Sequence, residues 1–342
     1  MSKLKFAILG CGRISYKHIE ALVNNVEEAE LVAVCDIVES KAVSRKEQYE
    51  KDIPNSNVKV YTDYKEMLKN ENIDVVTIAS ESGYHAEHAK DCINAGTHVL
   101  IEKPMALSVQ DADDIIALAK EKEKKVCVSH QNRFNPPIQK LRRAIEEGRF
   151  GRILNGTARI LWTRDNNYYK QAPWRGTKEL DGGTLMNQCI HNIDLLQWMM
   201  GSEVERVHAE RSTFLRDIEM EDFGAILVRF KNGSIGIIEG SACVYPKNLE
   251  ETLSIFGETG TVVIGGLAVN EIKTWQFADE RDYDHEQNNT EIDNVYGQGH
   301  TPLYKDLIDA IHHNTEPLIN GEEGKKAMEI ILKAYDVSEV RK

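Results

Sequence analysis

The sequence predicts an α/β protein in which an N-terminal, doubly wound parallel sheet is followed by an α+β domain with a large, mostly antiparallel sheet. Three observations support this prediction. Short β-branched segments alternate with helical segments up to about residue 128, a glycine-rich turn follows the first strand, and hairpin signals come after residue 220. The length of 342 residues also favours two domains over one.

The first region repeats a strand-helix unit. Its strand segments are continuous apolar runs rather than alternating ones, which is typical of a parallel sheet covered by helices on both faces. The predicted strands are LKFAILG, AELVAVCD, IDVVTIAS, THVLIEKP and KKVCVSH, and the helices between them include one that ends at Asn25, a charged helix, one from His85 to Gly96 and one from Val109 to Lys122. This pattern predicts a first domain over residues 1–129.

After Asn132 the character of the sequence changes. Asn232-Gly233 separates two apolar strands and Glu258-Thr259-Gly260 separates two more, so each marks a β-hairpin. The predicted elements are a helix at PPIQKLRRAIEEGRFG, a strand at ILNGTARILWT, a polar loop to Asp181, a helix at GGTLMNQCIHNID, hairpins of Phe223–Phe230 with Ser234–Ala242 and of LSIFG with TVVIGG, and helices Pro302–His313 and Glu322–Val340. They predict a second domain over residues 130–342, with C-terminal helices that are able to pack back on the first domain.

Several strands of the second domain carry apolar residues on both faces. In GAILVRF, Ile226 and Val228 face one way, whereas Ala225 and Leu227 face the other. One face covers the helices, and the other is predicted to be covered by a second subunit of a homo-oligomer, either a dimer or a homotetramer. The alternative is that a loop or a C-terminal helix of the same chain covers it.

The charge and cysteine content exclude several classes of partner. The sequence contains 55 Asp and Glu residues and 42 Lys and Arg residues, which gives a net charge of −13. This charge provides no global attraction to nucleic acid or to an anionic membrane. The six cysteines form no C-x-x-C pair, which argues against a zinc site and against a secreted disulfide framework. No apolar segment approaches the roughly 18 residues of a membrane span. We therefore predict a cytoplasmic protein with no metal, membrane or nucleic-acid partner.

The segment GCGRIS after the first strand predicts a phosphate-binding loop. Gly10 and Gly12 stand where a tight turn and close approach to a pyrophosphate are needed, and Arg13 and Ile14 lead into a helix whose N-terminal N–H groups would face the phosphates. The third small position of the motif is Ser15, which is still small enough for close packing of helix on strand. We expect these residues to bind a dinucleotide.

Asp36, at the end of the second strand, distinguishes the cofactor. A carboxylate there accepts hydrogen bonds from the ribose hydroxyls and repels a 2′-phosphate, and residues 37–39 supply no arginine to receive one. The sequence therefore predicts NAD rather than NADP. The alternative is a glycine turn and a helix-capping aspartate with no ligand.

Two groups of polar residues are candidates for the chemistry. Glu102 and Lys103 emerge at the carboxyl edge of the parallel sheet, where open α/β sheets bind their ligands. Asn187, His191 and Asp194 are spaced four and three residues apart, which places them on one face if the segment is helical.

Five blocks of the sequence together resemble the Gfo/Idh/MocA oxidoreductases, which join a Rossmann domain to a sheet domain and act on sugars and cyclitols with NAD or NADP. The blocks are GCGRIS, AVCD, SGYHAEHAKDCINAGTHVLIEKP, GGTLMNQCIHNIDLLQWMMG and GEEGKKAMEII. The resemblance implies that Lys103 and His191 meet at the nicotinamide, with Pro104 often in the cis form. It also implies that Trp174 and Arg175 reach the cofactor. From their positions in the sequence we expect further cofactor contacts at Ser80, Ser82, His85, Glu102 and Asn132, and substrate contacts at Lys103, Asn135, Arg164, Asn187, His191, Asp194 and His300. The alternatives are a satisfied histidine at a helix N-terminus for His85 and a helix-surface aspartate for Asp194.

Acid-base chemistry divides the roles of Lys103 and His191. Alcohol oxidation needs a base that is unprotonated at working pH. An ordinary histidine, with a pKa of about 6.5, is mostly free base at pH 7, whereas deprotonating an ordinary lysine costs roughly 4 to 5 kcal/mol. We expect His191 to be the base and Lys103 to orient the reacting oxygen, unless burial lets the lysine relay the proton itself. Asn187 stands where many members of the family have Asp, which indicates a subgroup.

The stretch LWTRDNNYYKQAPWRGTKELDGG concentrates positive charge ahead of the catalytic segment. Arg164 in this stretch is predicted to hold anionic groups of the substrate, although a solvated loop is the alternative. With its flanks, the stretch is similar to the nucleotide-sugar branch of the family. Those enzymes oxidise the C3 hydroxyl of UDP-N-acetylglucosaminuronic acid (UDP-GlcNAcA) to the 3-keto sugar in surface-polysaccharide biosynthesis, and some recycle NADH with 2-oxoglutarate.

Two other functions remain open. The nearest is another sugar or inositol dehydrogenase of the same fold, and the second is a regulator that binds NAD without turnover. The presence of both Lys103 and His191 speaks against the regulator.

Overall fold

The structure is a computed structural model that describes residues 2–286, 288–290 and 296–342. The chain divides into two compact units: Met1–His130 with His300–Lys325, and Gln131–Gly299 with Lys326–Lys342. Within the described residues, no helix combines the length and the apolar character needed to cross a membrane.

The chain alternates strands and helices as far as residue 128. In order, the elements are β1 (Leu4–Leu9), α1 (Ser15–Asn24), β2 (Ala29–Cys35), α2 (Glu39–Asp52), β3 (Lys59–Tyr61), α3 (Tyr64–Asn70), β4 (Val75–Ile78), a 3-10 turn (Ser82–Tyr84), α4 (His85–Asn94), β5 (His98–Ile101), α5 (Val109–Glu121) and β6 (Val126–Val128).

The remainder begins with helices and continues mainly as strands. In order, the elements are a 3-10 turn (Gln131–Phe134), α6 (Pro136–Glu146), β7 (Ile153–Leu161), α7 (Asn166–Lys170), a π-helix (Leu185–Cys189), α8 (Ile190–Met200), β8 (Val204–Ser212), β9 (Phe223–Phe230), β10 (Ile235–Ser241), β11 (Glu250–Gly257), β12 (Gly260–Gly265), β13 (Glu271–Phe277), a 3-10 turn (Asp282–His285), α9 (His300–His313), α10 (Gly321–Val337) and β14 (Val340–Arg341).

The first unit contains the predicted parallel sheet. Its strand order is β3-β2-β1-β4-β5-β6, and every pair is parallel. The order reverses between β1 and β4, so their carboxyl ends open the crevice in which such sheets bind ligands. Strand β3 and helix α3 were not predicted, because β3 has three residues and little apolar character.

The second unit contains the predicted large sheet, ordered β13-β12-β11-β7-β10-β9-β8-β14. Most pairs are antiparallel, but β7 with β10 and β8 with β14 are parallel. Both predicted hairpins are present. The prediction for the chain end was wrong, because the last helix stops at Val337 and Val340–Arg341 instead pairs with β8.

Helix α8 and the π-helix lie against one face of this sheet. A Cβ atom on Gly240 would fall 2.6 Å from Cys189 Sγ, so the helical segment can approach β10 only because this residue is glycine. The opposite face is more open, with Leu227 and Ile237 each 45% exposed. The strands therefore bury one apolar face fully and leave part of the other accessible.

A buried ion pair fixes α8 from inside the second unit. Arg133 Nε donates to Asp194 Oδ2 at 2.8 Å, and Nη2 donates to Oδ1 at 2.7 Å. Both side chains are almost fully buried, and the guanidinium also lies 4.8 Å from the ring centroid of Trp198. The pair joins the 3-10 turn at Gln131–Phe134 to the helix that carries His191.

Replacing Asp194 by Asn should lower the free energy of unfolding by about 3–5 kcal/mol, because it leaves a buried guanidinium without its counter-charge. Urea denaturation followed by circular dichroism measures this. Glu146→Gln is a suitable control, since it removes an exposed pair with Arg142 and should cost less than about 1 kcal/mol. Equal losses in the two variants would contradict a structural role for the buried pair.

Candidate active site

The loop after β1 has the geometry of a phosphate-binding turn. Gly10 has a φ of +94°, and a Cβ atom there would fall 2.5 Å from the backbone of Ala79 and Ser80, so both conformation and space require glycine. Around Gly12 a Cβ atom would meet nothing within 4 Å. The Ser15 hydroxyl donates to the Gly12 carbonyl at 2.6 Å. The serine at the third motif position therefore stabilises the turn by a hydrogen bond that glycine or alanine could not make.

Helix α1 begins directly after this loop without a side-chain cap at Ile14. Its first turn is therefore not closed by a side chain, and the N-terminus of a helix favours a phosphate at this position. The loop and the helix N-terminus together fit the pyrophosphate of a dinucleotide.

Asp36 is held beside the same loop. Its Oδ2 accepts the Cys11 backbone N–H at 2.8 Å, and its Oδ1 accepts that of Val38 at 2.8 Å. Each oxygen can accept a further hydrogen bond, and no arginine follows at residues 37–39. This geometry matches a carboxylate that receives ribose hydroxyls.

The end of β5 is surrounded by histidines from the same unit. Glu102 is 6% exposed, and its Oε1 lies 3.1 Å from His18 Nε2 and 3.9 Å from His300 Nε2. Burial raises the pKa of Glu102, but these two imidazoles outweigh burial and hold it well below its ordinary value. The Glu102 carboxylate, predicted to bind the cofactor, is thus engaged within the protein, and its Oε2 accepts the Lys103 backbone N–H at 3.3 Å.

His18 was not singled out in the sequence, and His300 was predicted to bind substrate. His300 is instead buried beside Glu102, and burial lowers its pKa. His18 Nδ1 lies 3.1 Å from the hydroxyl of Tyr304. One ligand atom each of His18, Glu102 and His300 lie within 4.8 Å of one another, a spacing that a metal ion could bridge, but the histidine-carboxylate contacts account for the cluster without an ion.

The predicted cofactor residue His85 is also held inside the first unit. Its Nδ1 lies 2.7 Å from the carbonyl oxygen of Pro104, and its Nε2 lies 3.0 Å from that of Ser80. The Lys103-Pro104 peptide is cis, as the resemblance implied. Ser82 is buried in the 3-10 turn that precedes α4. Both nitrogens of His85 lie against these carbonyls, and its predicted contact with NAD stays a prediction.

In the second unit, the segment that carries Asn187 and His191 starts as a π-helix before it becomes α8. Glu221 anchors its start, because the buried carboxylate accepts the Leu185 backbone N–H at 3.0 Å and the Tyr335 hydroxyl at 2.8 Å. Glu221 was not predicted, and no local motif marks it. A π-helical turn is often found at functional sites.

The three polar residues of this helix do not share one environment. Asn187 and His191 are partly exposed, and the Asn187 amide donates to Asp181 Oδ1. Asp194 has no solvent exposure, and Arg133 occupies both its oxygens. Spacing along a helix could not reveal this distant partner, and the contact of Asp194 with substrate stays a prediction.

A cluster of guanidinium groups and aromatic rings lies ahead of this helix. Arg164 and Arg175 both lie over the Tyr168 ring, at 5.1 and 4.3 Å from its centroid. Arg164 Nε also donates to Gln188 Oε1 at 2.9 Å, which ties it to the residue after Asn187. Two positive charges are thus fixed beside one phenol ring in an acidic protein, as an anionic ligand requires.

The other residues predicted to bind NAD or substrate, Trp174, Asn132 and Asn135, also lie in the second unit. Trp174 stacks with Arg175 at 4.7 Å, Asn132 is buried, and the Asn135 amide donates to the Ala268 carbonyl at 3.0 Å. The predicted roles of Trp174, Arg175, Asn132 and Asn135 toward NAD and substrate stay predictions.

Glu251 of β11 was not predicted. It is 1% exposed, and burial raises its pKa to about 8, against the opposing influence of Arg164. It pairs across the sheet with Ile160, on the face covered by α8.

Comparison with known proteins gives a consistent assignment. A model of the oxidoreductase family with an NAD-binding Rossmann fold matches residues 4–130, and a model of the GFO/IDH/MocA C-terminal domain matches residues 138–263. A crystal structure of the WlbA dehydrogenase from Bordetella pertussis in complex with NADH and UDP-GlcNAcA is 37% identical, covers 98% of this chain and 95% of that chain, and superposes with a TM-score of 0.92.

Two inositol dehydrogenases are more distant relatives. Myo-inositol 2-dehydrogenase from Thermotoga maritima is 26% identical over 333 residues, which are 95% of this chain and 93% of the relative. The scyllo-inositol 2-dehydrogenase (NAD(+)) of Bacillus subtilis is 26% identical over 270 residues, 78% of this chain and 75% of the relative. The chain belongs to the Gfo/Idh/MocA oxidoreductases, and its first domain is their NAD-binding Rossmann fold.

Proposed function

We propose that the protein oxidises the C3 hydroxyl of UDP-GlcNAcA to the 3-keto sugar, with NAD as the hydride acceptor, in surface-polysaccharide biosynthesis. The observation that carries this proposal is the cluster of Arg164, Tyr168 and Arg175, which a substrate with a diphosphate and a carboxylate needs and a neutral cyclitol does not. The 37% identity over 98% of the chain to a WlbA dehydrogenase crystallised with NADH and UDP-GlcNAcA supports it.

The first domain binds NAD. The bound cofactor would accept hydride from the carbon that bears the hydroxyl group. The backbone around Gly10 and Gly12 and the uncapped start of α1 bind the pyrophosphate. Asp36 binds the adenosine ribose and, because of its charge, disfavours a 2′-phosphate.

The proton of the alcohol is removed as hydride leaves. His191 is the base, because histidine is the side chain best suited to take up a proton near neutral pH. Lys103 orients the reacting oxygen and stabilises negative charge that develops on it. Asn187 supplies a hydrogen bond rather than a charge, and its amide orientation is set by Asp181.

Several features outside the chemistry are part of the same proposal. The protein acts in the cytoplasm, consistent with cysteines that are free in the structure. It is a homo-oligomer, dimer or tetramer, formed through the sheet face that exposes Leu227 and Ile237. The cofactor is recycled with 2-oxoglutarate as co-substrate.

Another sugar or inositol dehydrogenase is the second candidate, which the two inositol dehydrogenase relatives favour. The guanidinium cluster argues against it, since inositol has no anionic group. A regulator that binds NAD without turnover is less well supported, because such a protein needs neither Lys103 nor His191.

Purified protein mixed with NAD and UDP-GlcNAcA should form NADH, which is measured by its absorbance. Addition of 2-oxoglutarate should increase the total amount of 3-keto sugar, because it recycles the cofactor. Myo-inositol should give no turnover. Turnover of inositol alone would move the assignment to the second candidate, and absence of turnover with every sugar would favour the regulator.

Arg164→Lys should raise the KM for UDP-GlcNAcA by about 10-fold or more, because lysine cannot make the paired hydrogen bonds of a guanidinium. The kcat should change less. Arg152→Lys is the matched control, because Arg152 is an exposed arginine that pairs with Glu258. If both variants have the KM of the wild type, Arg164 does not bind the anionic groups.

His191→Asn should lower kcat by about 10² to 10⁴ while the affinity for NAD stays nearly unchanged, because only the base is removed. Stopped-flow absorbance of NADH measures the chemical step, and quenching of protein fluorescence measures NAD binding. His313→Asn makes the same replacement at an exposed site in the last turn of α9. A chemical step as fast as in the wild type would exclude His191 as the base.

A further inference from the structure

The ring of His85 lies between two carbonyl oxygens. The residue begins α4 and is 1% exposed. Its Nδ1 lies 2.7 Å from the Pro104 oxygen and its Nε2 lies 3.0 Å from the Ser80 oxygen. A carbonyl oxygen only accepts hydrogen bonds, so each of these contacts requires an N–H on the histidine.

A neutral imidazole has a single N–H and cannot satisfy both contacts. Its other nitrogen would direct a lone pair at a carbonyl lone pair in a site closed to solvent, which is costly. An imidazolium donates to both oxygens. The hydrogen-bond geometry therefore matches the charged form of the ring.

The ionisable groups around the ring act in both directions. Burial is the largest influence and lowers the pKa of His85 below its ordinary value, and the Lys103 ammonium acts the same way, whereas the two carbonyl contacts and the Glu102 carboxylate oppose this shift. His88, one turn along α4, is a further titratable neighbour, and its Nδ1 lies 2.9 Å from the Ser80 hydroxyl. The hydrogen-bond geometry and the Glu102 carboxylate thus favour the charged ring, while burial opposes it.

The two carbonyls belong to adjacent strand ends. Ser80 follows β4 and abuts Gly10 of the phosphate loop, and Pro104 follows Lys103 at the end of β5, which pairs with β4. A ring that binds both oxygens fixes the distance between the two strand ends. It therefore also fixes the direction in which the chain at Lys103 leaves the sheet.

We propose that His85 is a positioning residue that is held as a buried imidazolium and fastens Pro104, and through it Lys103, to the end of β4. The proposal rests on the role of Lys103 given above. It assigns to His85 no contact with NAD or with the sugar. Its charge state, in contrast, can be tested without any assumption about the reaction.

Nuclear magnetic resonance of protein labelled with ¹⁵N in its histidine rings tests the charge directly. The His85 signals are identified by their loss in His85→Asn. At pH 7.5 with NAD bound, both ring nitrogens should carry a proton. A ring with one protonated nitrogen would overturn the imidazolium, whatever the enzyme does to any sugar.

Two variants separate the two contacts. An asparagine amide nitrogen lies near the position of histidine Nδ1 and keeps the donor to Pro104, whereas a glutamine amide nitrogen lies near Nε2 and keeps the donor to Ser80. If Pro104 positions Lys103, His85→Gln should lose about 10- to 100-fold in kcat and His85→Asn several-fold less. NAD affinity should change by less than about 3-fold in both.

His313→Gln, an exposed residue in the last turn of α9, is the control for the replacement itself. Equal or higher kcat in His85→Gln than in His85→Asn would overturn the positioning role. If the wild type turns over no UDP-GlcNAcA, the proposed function fails by itself while the ring spectrum still decides the charge. Circular dichroism verifies that the variants are folded, and the His85 ring signals of the wild type are identified from whichever of His85→Asn and His85→Gln is folded.

Discussion

The strand end at Glu102, Lys103 and Pro104 is held by buried polar contacts that water cannot replace. Glu102 lies between His18 and His300, and the Pro104 carbonyl lies against His85. A buried polar group that loses its partner bears the full cost of desolvation, so each contact strongly disfavours other positions of the chain. The backbone on both sides of the lysine is therefore fixed. This preorganises the residue to which we assign the reacting oxygen.

The second unit uses the same principle for its helix. Glu221 anchors the start of the π-helix through the Leu185 N–H, and Arg133 anchors α8 through Asp194. Between these two buried anchors lie Asn187 and His191, which are partly exposed. The helix is therefore anchored at residues other than the two to which we assign the chemistry.

The sequence predicted the architecture well because its signals are local. Continuous apolar strands, the turn that needs Gly10 and the Asn232-Gly233 hairpin each follow from neighbouring residues, and all three are present. Partners distant in the chain were not predictable. Asp194 pairs with an arginine 61 residues away, and His300 lies beside Glu102 from a helix near the C-terminus. Helical spacing identifies which residues share a face, but not whether that face meets solvent or a buried charge.

The buried Glu251 affects how an anionic substrate would meet Arg164. An ionised carboxylate beside the guanidinium would neutralise it and compete with the ligand. Because burial raises the pKa of Glu251 to about 8, roughly nine in ten of these carboxyls are protonated at pH 7. The charge of Arg164 therefore remains available, while Gln188 and the Tyr168 ring fix its direction without cancelling it. Above pH 8 the same carboxyl becomes a competitor, so binding of anions through Arg164 should weaken as the solution becomes more alkaline.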